Sequence, residues 1–213
     1  MPPSPALDHC TLFLVRHGAT ENNLADPPRL QGQRADVGLS DEGRQQAAQT
    51  ARLLATQPLA AVFSSPLRRA VETAEQIAGP HRLLVEPVEA LKEVDVGRWE
   101  NRTWVEISQA EPDAYRRFLD DPATFGYPEG ENHTQVFERV APAMEQLMDA
   151  HLGKEIVVVG HNVVGRVFLA GLLGVPLSGA RRVSHSNGGI SVLQRRGRQT
   201  TLLTLNSTFH LKT

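Results

Sequence analysis

The stretch TLFLVRHGAT, residues 11–20, places a short apolar run directly before an arginine, a histidine and a glycine. A second stretch, EIVVVGHNVV at 155–164, repeats this order, with Gly160 and His161 after its apolar run. Each run has the length and the β-branched content of a strand that is buried on both faces. Because ligands bind beyond the carboxyl ends of the strands in an open parallel sheet, we expect His17 and His161 to lie at the same sheet edge.

The rest of the chain alternates between strand and helix patterns. Shorter strand patterns occur at 59–65 and 82–87, and two more lie near the C-terminus. Three helical patterns carry start signals: Ser40 as N-cap, Ser65 as N-cap with Pro66 at the first helical position, and Asn132 with Gln135 in capping-box spacing. This alternation indicates the α/β class, and we expect a three-layer α/β/α sandwich with a mostly parallel central sheet.

No stretch has the composition of a linker, so we expect a single domain over residues 1–213. Prolines at 112, 122 and 128 interrupt the helical patterns of the segment that precedes the third helix. We expect residues 95–130 to form a lid-like excursion over the active site.

The bulk composition excludes several classes of protein. The chain has 213 residues and a formal net charge of -2, which argues against a nucleic-acid binder. The start lacks a signal-peptide pattern, and no apolar run approaches the ~20 residues of a membrane-spanning helix. A single cysteine, Cys10, fits a reducing compartment. We therefore expect a cytoplasmic protein with neither a membrane nor a nucleic acid as partner.

The expected sheet edge also collects positive charge. Arg68 and Arg69 follow the strand pattern at 59–65 and are predicted in the first turn of the next helix, where free N–H groups would add partial positive charge. Arginine pairs with phosphate oxygens in bidentate fashion and stays charged. With His17 and His161, these groups predict a pocket for a phosphate group.

Arg16 and His17 are neighbours, and adjacent residues of a strand point to opposite faces. They could not share a pocket if the strand continued through both. We expect Gly18 to provide the backbone freedom that turns the chain at this point.

Phosphoryl transfer to an imidazole needs a neutral nucleophile and a proton for the leaving oxygen. The segment EALKEVDVGRWEN at 89–101 offers four acids: Glu89, Glu93, Asp95 and Glu100. Glu93 lies between apolar residues and is the one we most expect to be partly buried. The pattern alone leaves the other three open.

Five segments, in order, resemble the histidine phosphatase superfamily, the cofactor-dependent phosphoglycerate mutase-like enzymes. The first, LVRHGATENN at 14–23, is similar to the opening Arg-His-Gly motif of that family. The others are LQGQRADVGLSDEGRQQA at 30–47, SSPLRRAVETA at 64–74, LKEVDVGRWEN at 91–101 and VVVGHNVVGRVF at 157–168. The resemblance covers nearly the whole chain and implies the phosphoglycerate mutase-like fold.

The resemblance also implies roles for individual residues. His17 would become phosphorylated, Glu93 would be the proton donor, and His161 would be the second active-site histidine. The phosphate-binding residues would be Arg16, Asn23, Arg69 (rather than Arg68) and Asn162. No metal and no cofactor are implied.

Three positions depart from the family pattern. Ala19 stands where glutamate is common, Asn101 stands where glycine usually follows Trp-Glu, and Asn132 stands where serine is usual. None is a residue that the transfer itself would need, although the loss of a carboxylate at Ala19 bears on substrate preference.

The compact chain is more similar to the phosphatase branch, in which water accepts the phosphoryl group. We therefore expect a metal-independent phosphatase that acts on small phosphomonoesters through a phosphohistidine at His17. The alternatives are a cofactor-dependent mutase and a non-catalytic phospho-ligand-binding module. The natural substrate and the oligomeric state, including a homodimer, stay open.

Overall fold

A computed structural model describes residues 8–211 of the chain. Over this range the strands form one six-stranded sheet. The strands are β1 (His9–Arg16), β2 (Leu59–Ser64), β3 (Val85–Pro87), β4 (Glu155–Gly160), β5 (Ile190–Arg196) and β6 (Gln199–Ser207). Their order is β3-β2-β4-β1-β5-β6. The first four of these strands pair in parallel, whereas β5 and β6 are antiparallel. The mostly parallel sheet expected from the sequence is confirmed.

Seven α-helices lie within the described range. They are α1 (Glu21–Leu24), α2 (Asp41–Leu54), α3 (Arg68–Ala78), α4 (Trp104–Ala110), α5 (Pro112–Asp120), α6 (His133–Ala150) and α7 (Asn162–Leu172). Two separate apolar cores contain residues of these helices: one includes residues of α2 and α3, and the other includes residues of α6 and α7. The sheet therefore has a helical layer on each face, as the sandwich prediction requires. No helix of residues 8–211 combines the length and the apolar character needed to cross a bilayer.

Successive residues of the central strands β1 and β4 belong alternately to the two cores. Leu14 and Val158 belong to the core of α6 and α7, whereas Val15 and Val159 belong to the core of α2 and α3. Successive side chains of a strand point to opposite faces, so a strand covered on both sides must be apolar at every position. This explains the continuous apolar runs in β1 and β4.

The start of α3 differs from the prediction. Ser65 and Pro66 were expected as N-cap and first helical residue, but the helix begins at Arg68 with Leu67 in the N-cap position. The Ser65 N–H still donates to the carbonyl of Val159, which keeps this residue in register with the sheet. The helix can therefore start only after the chain has left the strand.

Gly18 is needed for a different reason from the one expected. Its backbone does not adopt a positive φ angle, so conformational freedom is not what the position requires. A Cβ atom at Gly18 would lie 2.2 Å from the carbonyl oxygen of Gly43 in α2. The glycine pair lets helix α2 approach the end of β1, close to His17.

Two predicted N-caps are confirmed. The Ser40 side chain accepts a hydrogen bond from the N–H of Gly43, and the Asn132 side chain accepts one from the N–H of Gln135. The Asn132 cap also forms the reciprocal bond of a capping box. Asparagine thus replaces the serine usual in the family without loss of the cap.

Helices α4 and α5 lie in the segment 95–130 and carry a cluster of aromatic rings. The buried ring of Trp99 makes edge contacts with Trp104, Phe118 and Tyr127, at centroid distances of 5.5–6.0 Å. Aromatic edge-to-face packing of this kind fixes the relative positions of the rings. The cluster anchors the segment to the larger apolar core.

Candidate active site

The two histidines of the apolar-run motifs meet. The ring centroids of His17 and His161 are 5.2 Å apart, and both side chains are buried. Strands β1 and β4 are parallel neighbours in which Arg16 is paired with Gly160, so the residues that follow them emerge side by side. The His17 N–H donates to the carbonyl of Gly160 and continues this alignment past the end of the strand.

One hydrogen bond fixes the tautomer of His17. Its Nδ1 lies 2.7 Å from the carbonyl oxygen of Gly18. A carbonyl can only accept, so Nδ1 carries the hydrogen and the neutral ring presents its lone pair at Nε2. Burial lowers the pKa of His17 well below its usual range, and the positive charges of Arg69 and Arg16 lower it further. The result is a neutral imidazole with a directed lone pair.

His161 occupies the N-cap position of α7, where its backbone is extended. Neither ring nitrogen has a hydrogen-bond partner, although both are buried. Burial lowers the pKa of this imidazole well below its usual range, and the positive charge of Arg69 lowers it further. A buried polar group without a partner is costly, so this ring is available to bond a ligand oxygen.

Arg68 and Arg69 are neighbours on a helix and point in different directions, so that Arg69 is buried and Arg68 is exposed. Arg69 is fully buried, and its two terminal nitrogens donate to the carbonyls of Ala35 and Gly32 at 3.0 and 2.9 Å. Its Nε has no partner. Arg68 is exposed and pairs with Glu72 on the helix surface. The Arg69 guanidinium is therefore held at both terminal nitrogens, and its Nε–H has no partner in the protein.

At the N-terminus of α3, two of the N–H groups that were expected to be free have partners in the protein. The N–H of Arg68 donates to the carboxylate of Asp36 at 2.6 Å, and the N–H of Leu67 donates to the Ser65 hydroxyl. These donors are satisfied within the protein. Side chains rather than this helix end thus provide the positive charge.

Arg16 lines the site beside His17. Its Nη1 donates to the carbonyl of His185 at 3.0 Å, whereas its Nε has no partner. Burial lowers the pKa of Arg16 to about 10, with the nearby Glu93 acting in the opposite direction, so the guanidinium keeps its charge at neutral pH. The His185 ring packs against Gly165, and burial lowers its pKa to about 3.

Glu93 is the one acid of the four candidates that is buried here. Its carboxylate accepts hydrogen bonds from the N–H groups of Val94, Val163 and Val164. Val163 and Val164 belong to the first turn of α7, whose N–H groups have no partner inside the helix. The N-terminus of α7, which follows His161, therefore fixes the carboxylate at the wall of the cavity described below.

The other three acids bond elsewhere. Glu89 forms an exposed pair with Lys92, and Asp95 pairs with Arg34. Glu100 accepts hydrogen bonds from the backbone N–H groups of Gly32 and Arg34. None of the three lines the cavity described next. The tertiary structure thus makes the choice that the sequence pattern left open.

A cavity of about 390 Å³ opens at this sheet edge, and we call it the phosphate cavity. Five of the expected site residues line it: Arg16, His17, Asn23, Glu93 and Asn162. Arg69 and His161 do not line it, because they are fully buried next to His17. The expected residues therefore form two shells, one facing the cavity and one beneath its wall.

Three asparagines line the phosphate cavity, and one of them bonds the backbone of His17. The Asn187 amide donates to the carbonyl of His17 at 2.9 Å and to the Asn23 side chain at 3.3 Å. Asn162 lies at the first position of α7, and its buried Oδ1 has no partner. These amides add hydrogen-bonding capacity without changing the charge of the site.

Sequence reasoning missed several residues of this cavity, and Arg166 and Asn187 are two of them. Arg166 lies four residues after Asn162 in α7, and positions four apart share one helix face, so this spacing could have revealed it. Asn187 lies in a loop, and no periodic signal points to it. With Arg16 and Arg69, Arg166 makes three guanidinium groups around the single carboxylate of Glu93. The surplus positive charge suits a dianionic ligand.

A neutral imidazole with a directed lone pair, a second imidazole and a surplus of guanidinium charge define a phosphoryl-transfer site. The family comparison agrees: the model of the histidine phosphatase superfamily (branch 1) matches residues 12–208. The chain belongs to this superfamily, as the sequence motifs implied.

Several relatives are phosphatases. The chain is 34% identical to phosphoserine phosphatase 1 of Hydrogenobacter thermophilus over 94% of this chain and 93% of the relative. Among solved structures, Bacillus stearothermophilus YhfR superposes with a TM-score of 0.88 and 29% identity, covering 95% of this chain and all of that one. Phosphoserine phosphatase of Entamoeba histolytica gives 0.83 and 31% over 95% of this chain and 99% of that one. The expected class, a histidine phosphatase acting on phosphomonoesters, is confirmed.

Proposed function

We propose that the protein hydrolyses phosphomonoesters in two steps through a covalent phosphohistidine at His17. The observation that carries the proposal is the hydrogen bond from Nδ1 of His17 to the Gly18 carbonyl, because it leaves the lone pair at Nε2 of a ring that lines the phosphate cavity. An imidazole held in the neutral form by burial and by two arginines can act as a nucleophile without a separate base.

In the first step, Nε2 of His17 attacks phosphorus and forms an N–P bond while the ester O–P bond breaks. The leaving oxygen takes the electron pair of that bond, and Glu93 in its protonated form donates a proton to it. The alcohol departs, and Glu93 is left as a carboxylate. In this role the carboxylate is already oriented by its bonds to the N–H groups of Val94, Val163 and Val164.

In the second step, the Glu93 carboxylate takes a proton from water. The water oxygen forms a new O–P bond, the N–P bond breaks, and its electron pair returns to Nε2 of His17. Inorganic phosphate is released and Glu93 is protonated again. Both steps thus balance, with the same carboxyl group acting first as acid and then as base.

Charge develops on the equatorial oxygens of the phosphoryl group, and we assign their stabilisation to the cations and amides of the site. Arg16 lines the phosphate cavity and has an Nε without a partner; Arg69 and His161 lie beneath its wall, where Arg69 also has an Nε without a partner and the neutral His161 ring can donate from one of its two nitrogens. Asn23 and Asn162 would complete the set at the cavity wall. Preorganised donors of this kind stabilise a phosphoryl transition state by charge and position.

We propose that the reaction needs no metal ion, because guanidinium and imidazole groups supply the positive charge. Turnover in the presence of a strong chelator should equal turnover without it. Strong inhibition by the chelator, reversed by added metal, would contradict this part of the mechanism.

The decisive experiment traps the intermediate. Wild type is mixed briefly with a phosphomonoester that carries a radiolabelled phosphoryl group and is then quenched in base. We expect one acid-labile label per chain, located at His17, and none in His17→Ala. His81→Ala is the matched control, because His81 lies at the opposite end of α3 from Arg69 and should keep both label and activity.

Turnover of His17→Ala should fall at least about a thousandfold, as expected when a nucleophile is removed. Wild type that releases phosphate without ever carrying label would contradict the covalent mechanism. Transfer of the label to 3-phosphoglycerate instead of water would establish the mutase alternative. No turnover and no label on a broad panel would leave the phospho-ligand-binding module.

Two further assignments belong to the proposal. We assign residues 95–130 of the single domain the role of a lid, supported by Val96, Trp104 and Tyr127, which line the phosphate cavity. We place the protein in the cytoplasm, because its single thiol, Cys10, is buried and free, which suits a reducing compartment.

A further inference from the structure

A second cavity of about 350 Å³ adjoins the phosphate cavity, and we call it the aromatic cavity. Its lining is mainly apolar and includes Trp104, Tyr115, Phe118, Leu119 and Ala180. Most of these residues come from α4 and α5, within the segment 95–130. A concave, mostly apolar cavity of this size is typical of a small-molecule binding site.

The two cavities share a wall. Trp104, Tyr127, Val163 and Arg166 line both of them. Val163 also donates its N–H to the carboxylate of Glu93. The aromatic cavity therefore begins where the leaving group of a phosphate ester would emerge from the phosphate cavity.

The rings of the aromatic cavity hold one another in place. Trp104 stacks on Phe118 with 5.4 Å between centroids and 25° between planes, and Phe118 packs against Tyr127 at 4.6 Å. Helix α5 also contributes Tyr115, which contacts Trp104 at 5.8 Å. Preformed aromatic walls bind a flat or branched apolar group at little cost in conformational entropy.

We propose that the aromatic cavity binds the leaving group of the substrate, and that the preferred substrates are phosphate esters of alcohols carrying an aromatic or branched apolar group. This inference rests on the proposed function. A small polar alcohol would fit within the phosphate cavity and leave the aromatic cavity unused. Arg166 and Arg181 also line the aromatic cavity, so a cationic alcohol would lose hydration there and meet like charge, whereas an apolar ring would gain free energy by leaving water for the apolar walls.

The test compares two esters that differ only in the apolar group. 3-Phenylpropyl phosphate and n-propyl phosphate are both esters of primary alcohols, so the chemical step makes the same demand on the enzyme. We expect kcat/KM to be at least about tenfold higher for the phenylpropyl ester, from the burial of one ring. Equal values for the two esters would overturn the inference.

Two variants locate the effect. Leu119→Asp puts a charge at a wall position that is 36% exposed, and Ala180→Phe fills the cavity from a buried position. Each should lower kcat/KM for the phenylpropyl ester to about the propyl value while leaving the propyl ester unchanged. Leu152→Asp is the matched control, because Leu152 is 48% exposed and lies just before β4, at the opposite end of the strand from His161. An undiminished preference for the ring in a folded Leu119→Asp variant would overturn the inference.

A binding measurement separates this inference from the proposed function. 4-Phenylbutylphosphonate and n-butylphosphonate cannot be hydrolysed, and calorimetry gives their affinities for wild type and Leu119→Asp. Tighter binding of the phenyl compound to wild type alone supports the aromatic cavity as a binding site, even if no ester is turned over and the proposed function fails. Equal affinities would overturn the inference, even if both esters are hydrolysed.

Discussion

The phosphate cavity and the aromatic cavity adjoin, yet they are built in opposite ways. Residues of the phosphate cavity come from widely separated parts of the chain and emerge from the ends of β1 and β4. Hydrogen bonds to backbone carbonyls and N–H groups fix several of its polar groups, as for His17 and Glu93. Residues of the aromatic cavity come mainly from one segment and are fixed by ring packing.

This difference assigns the reaction to the phosphate cavity and the choice among substrates to the aromatic cavity. The sheet fixes the two histidines, because each strand end is held by its neighbours, and backbone N–H groups of α7 fix Glu93. The segment 95–130 sits on the larger core through Trp99 and Phe118, so its side chains can change without disturbing the strand ends. We therefore expect variants of the phosphate cavity to alter turnover of all esters, and variants of the aromatic cavity to alter the choice among them.

The largest effect that sharpens this comparison concerns Glu93. Glu93→Gln removes the proton donor but keeps the shape and one acceptor oxygen for the α7 N–H groups. We expect kcat/KM for n-propyl phosphate to fall about a hundredfold to ten-thousandfold, the usual contribution of general acid catalysis. For 4-nitrophenyl phosphate the loss should be much smaller, because nitrophenolate leaves without a proton.

Steady-state assays of both esters check this prediction. Glu89→Gln is the matched control, since Glu89 is exposed and lies outside the cavity. Equal losses on the two esters would mean that Glu93 positions other groups and does not donate a proton.

A smaller effect is expected at the wall that the cavities share. Arg166→Gln removes a cation that lines both cavities and has an Nε without a partner. The charge acts on the dianionic phosphoryl group, so we expect kcat/KM to fall about tenfold for the propyl and the phenylpropyl ester alike. A loss confined to the phenylpropyl ester would place Arg166 in the aromatic cavity instead. Kinetics at two ionic strengths check the electrostatic origin, because the loss should shrink at high salt.

The smallest effect is a pH dependence of stability. Burial lowers the pKa of His185 to about 3, whereas an unfolded histidine titrates near its usual 6.5. Between these values the unfolded chain binds a proton that the folded chain does not, so the free energy of unfolding decreases as pH falls below 6.5. One such group contributes up to about 1.4 kcal/mol per pH unit. Denaturant unfolding at pH 7, 6 and 5 should show a shallower decline in His185→Asn than in wild type, and identical slopes would contradict the prediction.

Much of the site could be predicted because its residues follow strand ends. Apolar runs predict buried strands, parallel strands place their carboxyl ends at one edge, and His17 and His161 follow from that rule. The position after a strand pointed to both Arg68 and Arg69, and the family resemblance was needed to choose Arg69. Spacing alone does not show which of two adjacent arginines points inward. Arg166 and Asn187 were missed, because the pairing of a helix face or a loop with a cavity depends on packing.

Some local predictions were wrong where long-range contacts overrode local signals. Ser65 and Pro66 have the pattern of a helix start, but the bond of Ser65 to Val159 holds this residue in the sheet. Gly18 reads as a turn residue, but its absent side chain serves the contact with Gly43. Both contacts join residues that are distant in the chain, so patterns of neighbouring residues could not predict them.

The sequence by itself determined the α/β class, the parallel core strands, the identity of the two histidines and the membership of the superfamily. Those features depend on periodicity and on motifs that are local in the chain. The family resemblance singled out Glu93, but only the tertiary structure showed that Glu93 lines the cavity whereas Glu89, Asp95 and Glu100 do not, and that an aromatic cavity adjoins the phosphate cavity. Both depend on which surfaces pack together, because burial and shared walls are set by distant segments that meet only in the folded chain.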